Sequence, residues 1–220
     1  MSKQILATVA SAFALAAGVS SVHAQDNPAG DAASGQKKAA MCIGCHGIPN
    51  YRASFPEIHQ VPMISGQGAK YIVSALNAYK KGERKHPTMR GIAASLSDQD
   101  MADVAAFYAG HAVPASAAAA PVPSAAVAEL LKKGNCASCH GDNMNKPIDG
   151  SYPKLAGQYA DYLFVALKAY KTENNANIGR GNAIMGGMAK PYTNAELKAL
   201  ANYIATMPGD LSTVTNPKFR

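Results

Sequence analysis

Cys42, Cys45 and His46 fall in MCIGCHG (41–47), and Cys136, Cys139 and His140 in NCASCHG (135–141); these are the only four cysteines in the 220 residues. Two thiols three residues apart on a turn of helix can add to the two vinyl groups on one edge of a porphyrin. The histidine that follows can then bind the iron from one face, and Cys-x-x-Cys-His is the attachment signature of c-type haem. Other uses of the same residues fit less well. A disulfide scaffold spreads its cysteines to close long loops, whereas each pair here would close a very short one. A thioredoxin-like Cys-x-x-Cys belongs in a βαβ context, which the sequence does not offer. Zinc shared by the two pairs leaves the histidine after each second cysteine without a reason. The expected cofactors are two covalently bound c-type haems, tethered at Cys42, Cys45, Cys136 and Cys139, with His46 and His140 on their irons.

The ligand on the opposite face decides between carrier and catalyst, because a filled axial position limits the iron to electron transfer while an open one admits a substrate. Internal repetition selects the candidates. Met89 and Met185 coincide when MRGIAASLSDQDMADVAAFYA (89–109) is laid on MGGMAKPYTNAELKALANYIA (185–205). Met188 competes in the second half, but its counterpart is Ile92, which cannot ligate. Met63 pairs with Lys154 and Met101 with Leu197, so both read as packing. Met144 lies four residues after His140, on the wrong side of the expected haem path. His59, His86 and His111 have no histidine counterpart in the other half, and His86 sits close to Met89 in a charged loop. Methionine opposite histidine raises the reduction potential.

The elements that must hold these ligands repeat as well. PMISGQ (62–67) matches PKLAGQ (153–158), and KYIVSALNAYK (70–80) matches DYLFVALKAYK (161–171). Helices are expected over about 30–41 and 125–134, leading into each motif. Further helices are expected near 70–82 and 161–172, with Tyr71, Ala75, Leu76 and Tyr79 (Tyr162, Ala166, Leu167 and Tyr170) as the apolar face. A last pair starts at Ser97 and Thr193, where Thr193 with Glu196 forms a capping box and Ser97 with Asp100 a weaker one. Its buried stripes are Met101, Val104, Ala105, Tyr108 and Leu197, Leu200, Ala201, Ile204. No run alternates like a strand. Each half is a small all-α unit with a thin core that a large flat cofactor would complete.

Residues 1–24 read as a cleavable export signal: Lys3, an apolar run from Ile5 to Val19, and Val22-His23-Ala24 before Gln25. That run is shorter than the roughly 20 residues a membrane span needs. The expected setting is the periplasm. The uncharged Ala/Pro-rich stretch 112–124 reads as a linker, giving domains at 25–111 and 125–220. The formal net charge of +7 is modest for the length. It lacks the dense basic face of a nucleic-acid binder, and suits encounter with an acidic protein or an anionic membrane surface.

With CIGCHG/CASCHG, PMISGQ/PKLAGQ, the Tyr-x-x-x-Ala-Leu helices and HPTMRGIAASLSDQDM in view, the chain resembles the dihaem cytochrome c4 family, two-domain members of the class I cytochromes c. The resemblance covers nearly the whole sequence after the leader. It implies two tandem all-α cytochrome c domains related by a pseudo-twofold axis, with haem propionate edges facing one another. It implies a periplasmic electron carrier that delivers to a terminal oxidase, in some cases at the membrane face. Carried over by position, Cys42, Cys45, His46 and Met89 serve the first haem, and Cys136, Cys139, His140 and Met185 the second. The carbonyls of Pro62 and Pro153 would accept a hydrogen bond from the proximal histidines.

The halves also differ. Ten positions separate Tyr79 from Met89, and fifteen separate Tyr170 from Met185, which leaves Met188 in contention. Lys80, Lys81, Arg84 and Lys85 read either as a solvated helix end or as a docking patch for an acidic redox partner. Two further functions compete with the free carrier. One is a dihaem enzyme with one open iron, which paired methionines argue against. The other is a cytochrome subunit of a larger redox enzyme, such as a flavoprotein that oxidises sulfide.

Overall fold

The computed structural model describes residues 28–115 and 119–215, so the expected leader lies outside the described residues. The first half runs α1 (Ala32–Lys38), α2 (Ala40–His46), β1 (Arg52–Ala53), β2 (His59–Gln60), α3 (Ala69–Lys81), β3 (Arg84–Lys85), α4 (Pro87–Ala94) and α5 (Asp98–Ala109). The second runs α6 (Ala125–Gly134), α7 (Ala137–His140), α8 (Ala160–Ala169), β4 (Gly179–Arg180), α9 (Ala183–Ala189) and α10 (Asn194–Ala205). The strands are two-residue ladders, too short to leave an alternating pattern in the sequence. β1 pairs with β2 inside the first half, while β3 pairs with β4 across the two halves. Among the described residues no helix is long and apolar enough to cross a membrane.

The single helix expected over 30–41 is two, because the chain turns at Ala39 between α1 and α2. In the second half the break is sharper: Asn135 takes a left-handed conformation at the end of α6, and only Ala137–His140 is helical beyond it. Asparagine tolerates this geometry better than most residues. Both expected capping boxes form, Ser97 with Asp100 and Thr193 with Glu196, so α5 and α10 start where the sequence places them.

The stripes expected on α5 and α10 are buried. The face expected on α3 is met at Leu76 and Tyr79 but widens to include Ile72 and Val73. Ile72, Val73 and Leu76 enter the first core with Met101, Val104, Phe107 and Tyr108, while Tyr71 and Tyr79 are only partly buried. On α8 the buried side chains are Leu163, Val165 and Ala166. The repeated tyrosines lie partly buried beside Arg84 and Arg180, with Tyr79 still packed against the first core.

Helix α1 lies on α5 at backbone contact. A Cβ on Gly35 would come within 2.0 Å of the Asp103 carbonyl oxygen. The same residue's carboxylate, 3% exposed, gathers the Asp31 N–H at 2.8 Å, Lys38 Nζ at 2.7 Å and Gln99 Nε2 at 2.8 Å. The Asp31 amide first, then Lys38 and Gln99, hold this carboxyl down to about 2. The end of the chain also returns to the first half. Ser212 bridges Ser65, and the Asp210 carbonyl accepts from the Val113 N–H at 3.1 Å.

Two outcomes follow from this packing. Gly35→Ala forces α1 off α5, because the obstructing atom is backbone and cannot swing aside; unfolding of the holoprotein by denaturant should show a loss of about 1–3 kcal/mol. Asp103, with its lowered folded value, contributes stability above its unfolded pKa of about 4 that disappears as pH falls through about 2. Asp103→Asn should therefore lower stability at neutral pH and flatten the fall between pH 4 and 2 in acid unfolding curves.

Candidate functional site

Each Cys-x-x-Cys-His turn is delivered by the helix before it. In the first half α2 carries Cys42, Cys45 and His46 on consecutive turns. In the second, Cys136 caps α7, and Cys139 and His140 close it. All four cysteines are partly buried free thiols. Cys42 packs against the first core, where burial pushes its thiol up to about 11. Burial raises Cys136 likewise. Among the described residues no group of three or more His, Cys, Asp or Glu side chains could hold a metal ion, so the two pairs do not converge on a shared zinc site.

The histidines face their prolines. His46 Nδ1 donates to the Pro62 carbonyl at 2.8 Å, and His140 Nδ1 to the Pro153 carbonyl at 3.0 Å. Burial lowers the pKa of both rings, with the prolyl bond opposing it. A neutral ring that donates through Nδ1 keeps the Nε2 lone pair for a metal.

Met89 and Met185 occupy one and the same helical position. Each is the third residue of its helix, and each backbone N–H is taken by the side chain capping that helix. His86 Nδ1 accepts from Met89 at 3.4 Å, and Asn182 Oδ1 from Met185 at 2.9 Å. His86 is thus a helix cap, stacked edge-on against Phe55, and its counterpart is Asn182. Met188 is 38% exposed, whereas Met185 is partly buried like Met89. The longer loop of the second half does not disturb this register. Arg84 and Arg180 face each other in the β3–β4 ladder, five positions before Met89 and Met185 alike. The five extra residues therefore lie upstream, between Tyr170 and Arg180.

Lys80 and Lys81 are the exposed last turn of α3, as expected of a solvated helix end, whereas Arg84 and Lys85 are partly buried and form no free docking patch. Arg84 donates to Tyr71 Oη at 3.3 Å and across the boundary to Tyr162 Oη at 2.8 Å, with its guanidinium 4.5 Å above the Tyr79 ring. Arg180 donates to the same Tyr162 oxygen at 3.1 Å and to Tyr170 at 3.5 Å. Lys80 reaches the Leu96 carbonyl, and Lys85 the Asn175 carbonyl in the inserted loop. Burial pushes the Tyr162 phenol up, but donation from two guanidiniums outweighs it and leaves the group below its ordinary range. Sequence reasoning missed this cluster because its two halves come from different domains; the equal spacing of Arg84 and Arg180 from the methionines was the available signal.

This cluster tests the fit of the expected cofactor. Arg84 Nε is buried without a hydrogen-bond partner, and the ion pairs among the described residues include neither arginine. Two clustered cations without an acid of their own suit a group that brings carboxylates, as haem does. The remaining donors, thiols, neutral imidazoles and thioethers, are soft and suit haem iron better than a hard cation.

The cytochrome c family model matches residues 32–110 and 124–208. The chain is 33% identical to cytochrome c4 of Azotobacter vinelandii over 80% of this chain and 89% of that one. It is 34% identical to a thiosulfate dehydrogenase electron acceptor of Stutzerimonas stutzeri (strain A1501), over 79% and 82% respectively. The crystal structure of reduced recombinant cytochrome c4 from Pseudomonas stutzeri superposes with a TM-score of 0.62 at 29% identity, covering 81% of this chain and all of that one. A twice-matched family model, two free Cys-x-x-Cys-His turns and reciprocal contacts between equivalent residues lead to one conclusion: the chain belongs to the dihaem cytochrome c4 family, and is an electron-transfer protein with two covalently bound c-type haems rather than an enzyme.

Proposed function

We propose that the protein is a periplasmic carrier in which Cys42 and Cys45 tether one haem, with His46 and Met89 on its iron, and Cys136, Cys139, His140 and Met185 serve the other. The observation that carries the methionine assignment is the shared position of Met89 and Met185, third in a capped helix five residues beyond the paired arginines. The haems supply the one-electron couple. The chain's own part would be to orient two neutral imidazoles through prolyl carbonyls, supply one thioether from the same helical position in each half, and hold the haem carboxylates with Arg84 and Arg180. A leader at 1–24, domains at 25–111 and 125–220 and a linker at 112–124 complete this reading, supported by the signal-like N-terminal sequence and the two separate family matches.

For the partner we propose a redox protein, with a membrane-bound terminal oxidase as acceptor. A second reading has a specific observation behind it: one relative is a thiosulfate dehydrogenase electron acceptor, so this chain would take electrons from a thiosulfate-oxidising enzyme, free or as its subunit. Both readings keep the same haem chemistry. Oxidation of the reduced protein by oxidase-containing membranes supports the first; reduction by a purified thiosulfate dehydrogenase with thiosulfate, and no oxidation by those membranes, supports the second.

Carbon monoxide tests the ligands. The reduced holoprotein should show no spectral change on adding it, since both irons are six-coordinate. Met89→Ala and Met185→Ala should each make about half of the haem reactive, while Met188→Ala leaves the spectrum silent. Reactive haem in the unaltered protein, or in Met188→Ala and not Met185→Ala, overturns the assignment.

A further inference from the structure

The prolyl carbonyls that hold the two histidines belong to peptide groups whose other ends are bound across the domain boundary. Pro62 accepts from His46, and the N–H of that same peptide, on Met63, donates to Gln158 Oε1 at 3.0 Å. Gln158 Nε2 completes the pair by donating to the Met63 carbonyl at 2.8 Å. The second half mirrors it. Pro153 accepts from His140, and the Lys154 N–H donates to Gln67 Oε1 at 2.9 Å, while Gln67 Nε2 donates to the Lys154 carbonyl at 3.0 Å.

Both glutamines are buried, Gln67 at 4% and Gln158 at 3% exposure. Their orientation is fixed, because an N–H can be met only by the amide oxygen and a carbonyl only by the amide nitrogen. Each Oε1 also accepts from the next backbone N–H of its own chain segment, Gly68 at 3.0 Å and Tyr159 at 3.1 Å.

A peptide group is conjugated, so an acceptor at its N–H draws electron density toward its oxygen and strengthens the bond that oxygen accepts. A histidine donating to a stronger acceptor is a more basic ligand through its other nitrogen. We propose that Gln158 and Gln67 are positioning residues acting across the boundary: Gln158 of the second domain sets the ligand strength of His46 in the first, and Gln67 does the same for His140. This rests on reading His46 and His140 as iron ligands. A more basic histidine favours ferric iron, so losing the glutamine oxygen raises the potential of the haem in the opposite domain.

Redox titration of the holoprotein followed by NMR, with each haem assigned through contacts to its own domain, reads the two irons separately. Strongly shifted ring protons of His46 and His140 in the oxidised, unaltered protein come first; their absence refutes the ligand reading itself rather than the relay. Gln158→Met keeps the side-chain length and removes both hydrogen bonds. It should shift the first-domain haem upward, leave the second-domain haem in place, and speed solvent exchange of the His46 Nδ1 proton. Gln67→Met should give the mirror image. Gln158→Glu retains an acceptor oxygen, so its first-domain haem should stay at or below the unaltered potential. If Gln158→Met takes up no haem, the sign of the glutamate variant decides alone. Equal movement of both haems, a shift confined to the substituted domain, no shift at all, or a rise in the glutamate variant overturns the proposal.

Discussion

Two guanidiniums held side by side at the boundary between two similar domains are a constraint to which much of the molecule answers. Like charges at close range repel by roughly 4 kcal/mol at 4 Å and an effective dielectric of 20. Among the described residues no carboxylate pairs with either, and tyrosines surround them: Tyr71 and Tyr79 from α3, Tyr162 from α8 and Tyr170 at its end. The four phenols gather at the boundary, Tyr79 while still packed against the first core, and β3 and β4 pair in register so that Arg84 faces Arg180. That pairing also explains why the inserted loop is tolerated. Its extra residues sit on the outer side of the ladder, where Asn175 engages Lys85, and the register onward to Met185 is untouched.

Against that constraint, the rest of the boundary divides into strong and weak contacts. The rim carries ion pairs between exposed or half-exposed groups, Arg52 with Asp161 and Lys70 with Asp149, and pairs of that kind contribute little. The centre is held by four hydrogen bonds from two buried glutamines to the backbone. Each uses an amide at both ends and leaves no polar atom unsatisfied, which is costly to break. The relative orientation of the two halves is therefore fixed at the segments carrying Pro62 and Pro153 and looser at the edge.

Local signals were legible in the sequence and cross-domain ones were not. The Cys-x-x-Cys-His turns, both capping boxes and the stripes on α5 and α10 depend on spacing within a few residues, and all are where periodicity places them. The prolyl hydrogen bonds, implied by the family resemblance, are also present. The face of α3 is legible only in part, at Leu76 and Tyr79, because tyrosine is amphipathic and nothing in one helix says whether its hydroxyl serves its own half or a neighbour. Arg84 and Lys85 read as solvated charge for a related reason: the phenol and carbonyl that take them up lie 78 and 90 residues further along the chain. The break at Ala39 escaped notice because alanine is a strong helix former and carries no stop signal.

The bridge between Ser65 and Ser212, with Asp210 reaching Val113, bears on the order in which the molecule is made. A chain synthesised from its N-terminus presents its first Cys-x-x-Cys-His turn well before the segment around Asp210 and Ser212 that flanks the first domain. Until Asp210 and Ser212 emerge, that flank has no partner. The first pair of thiols thus has the longer interval before that flank is covered, and Asp210 and Ser212 act as a latch that can close only after the second Cys-x-x-Cys-His turn has been made.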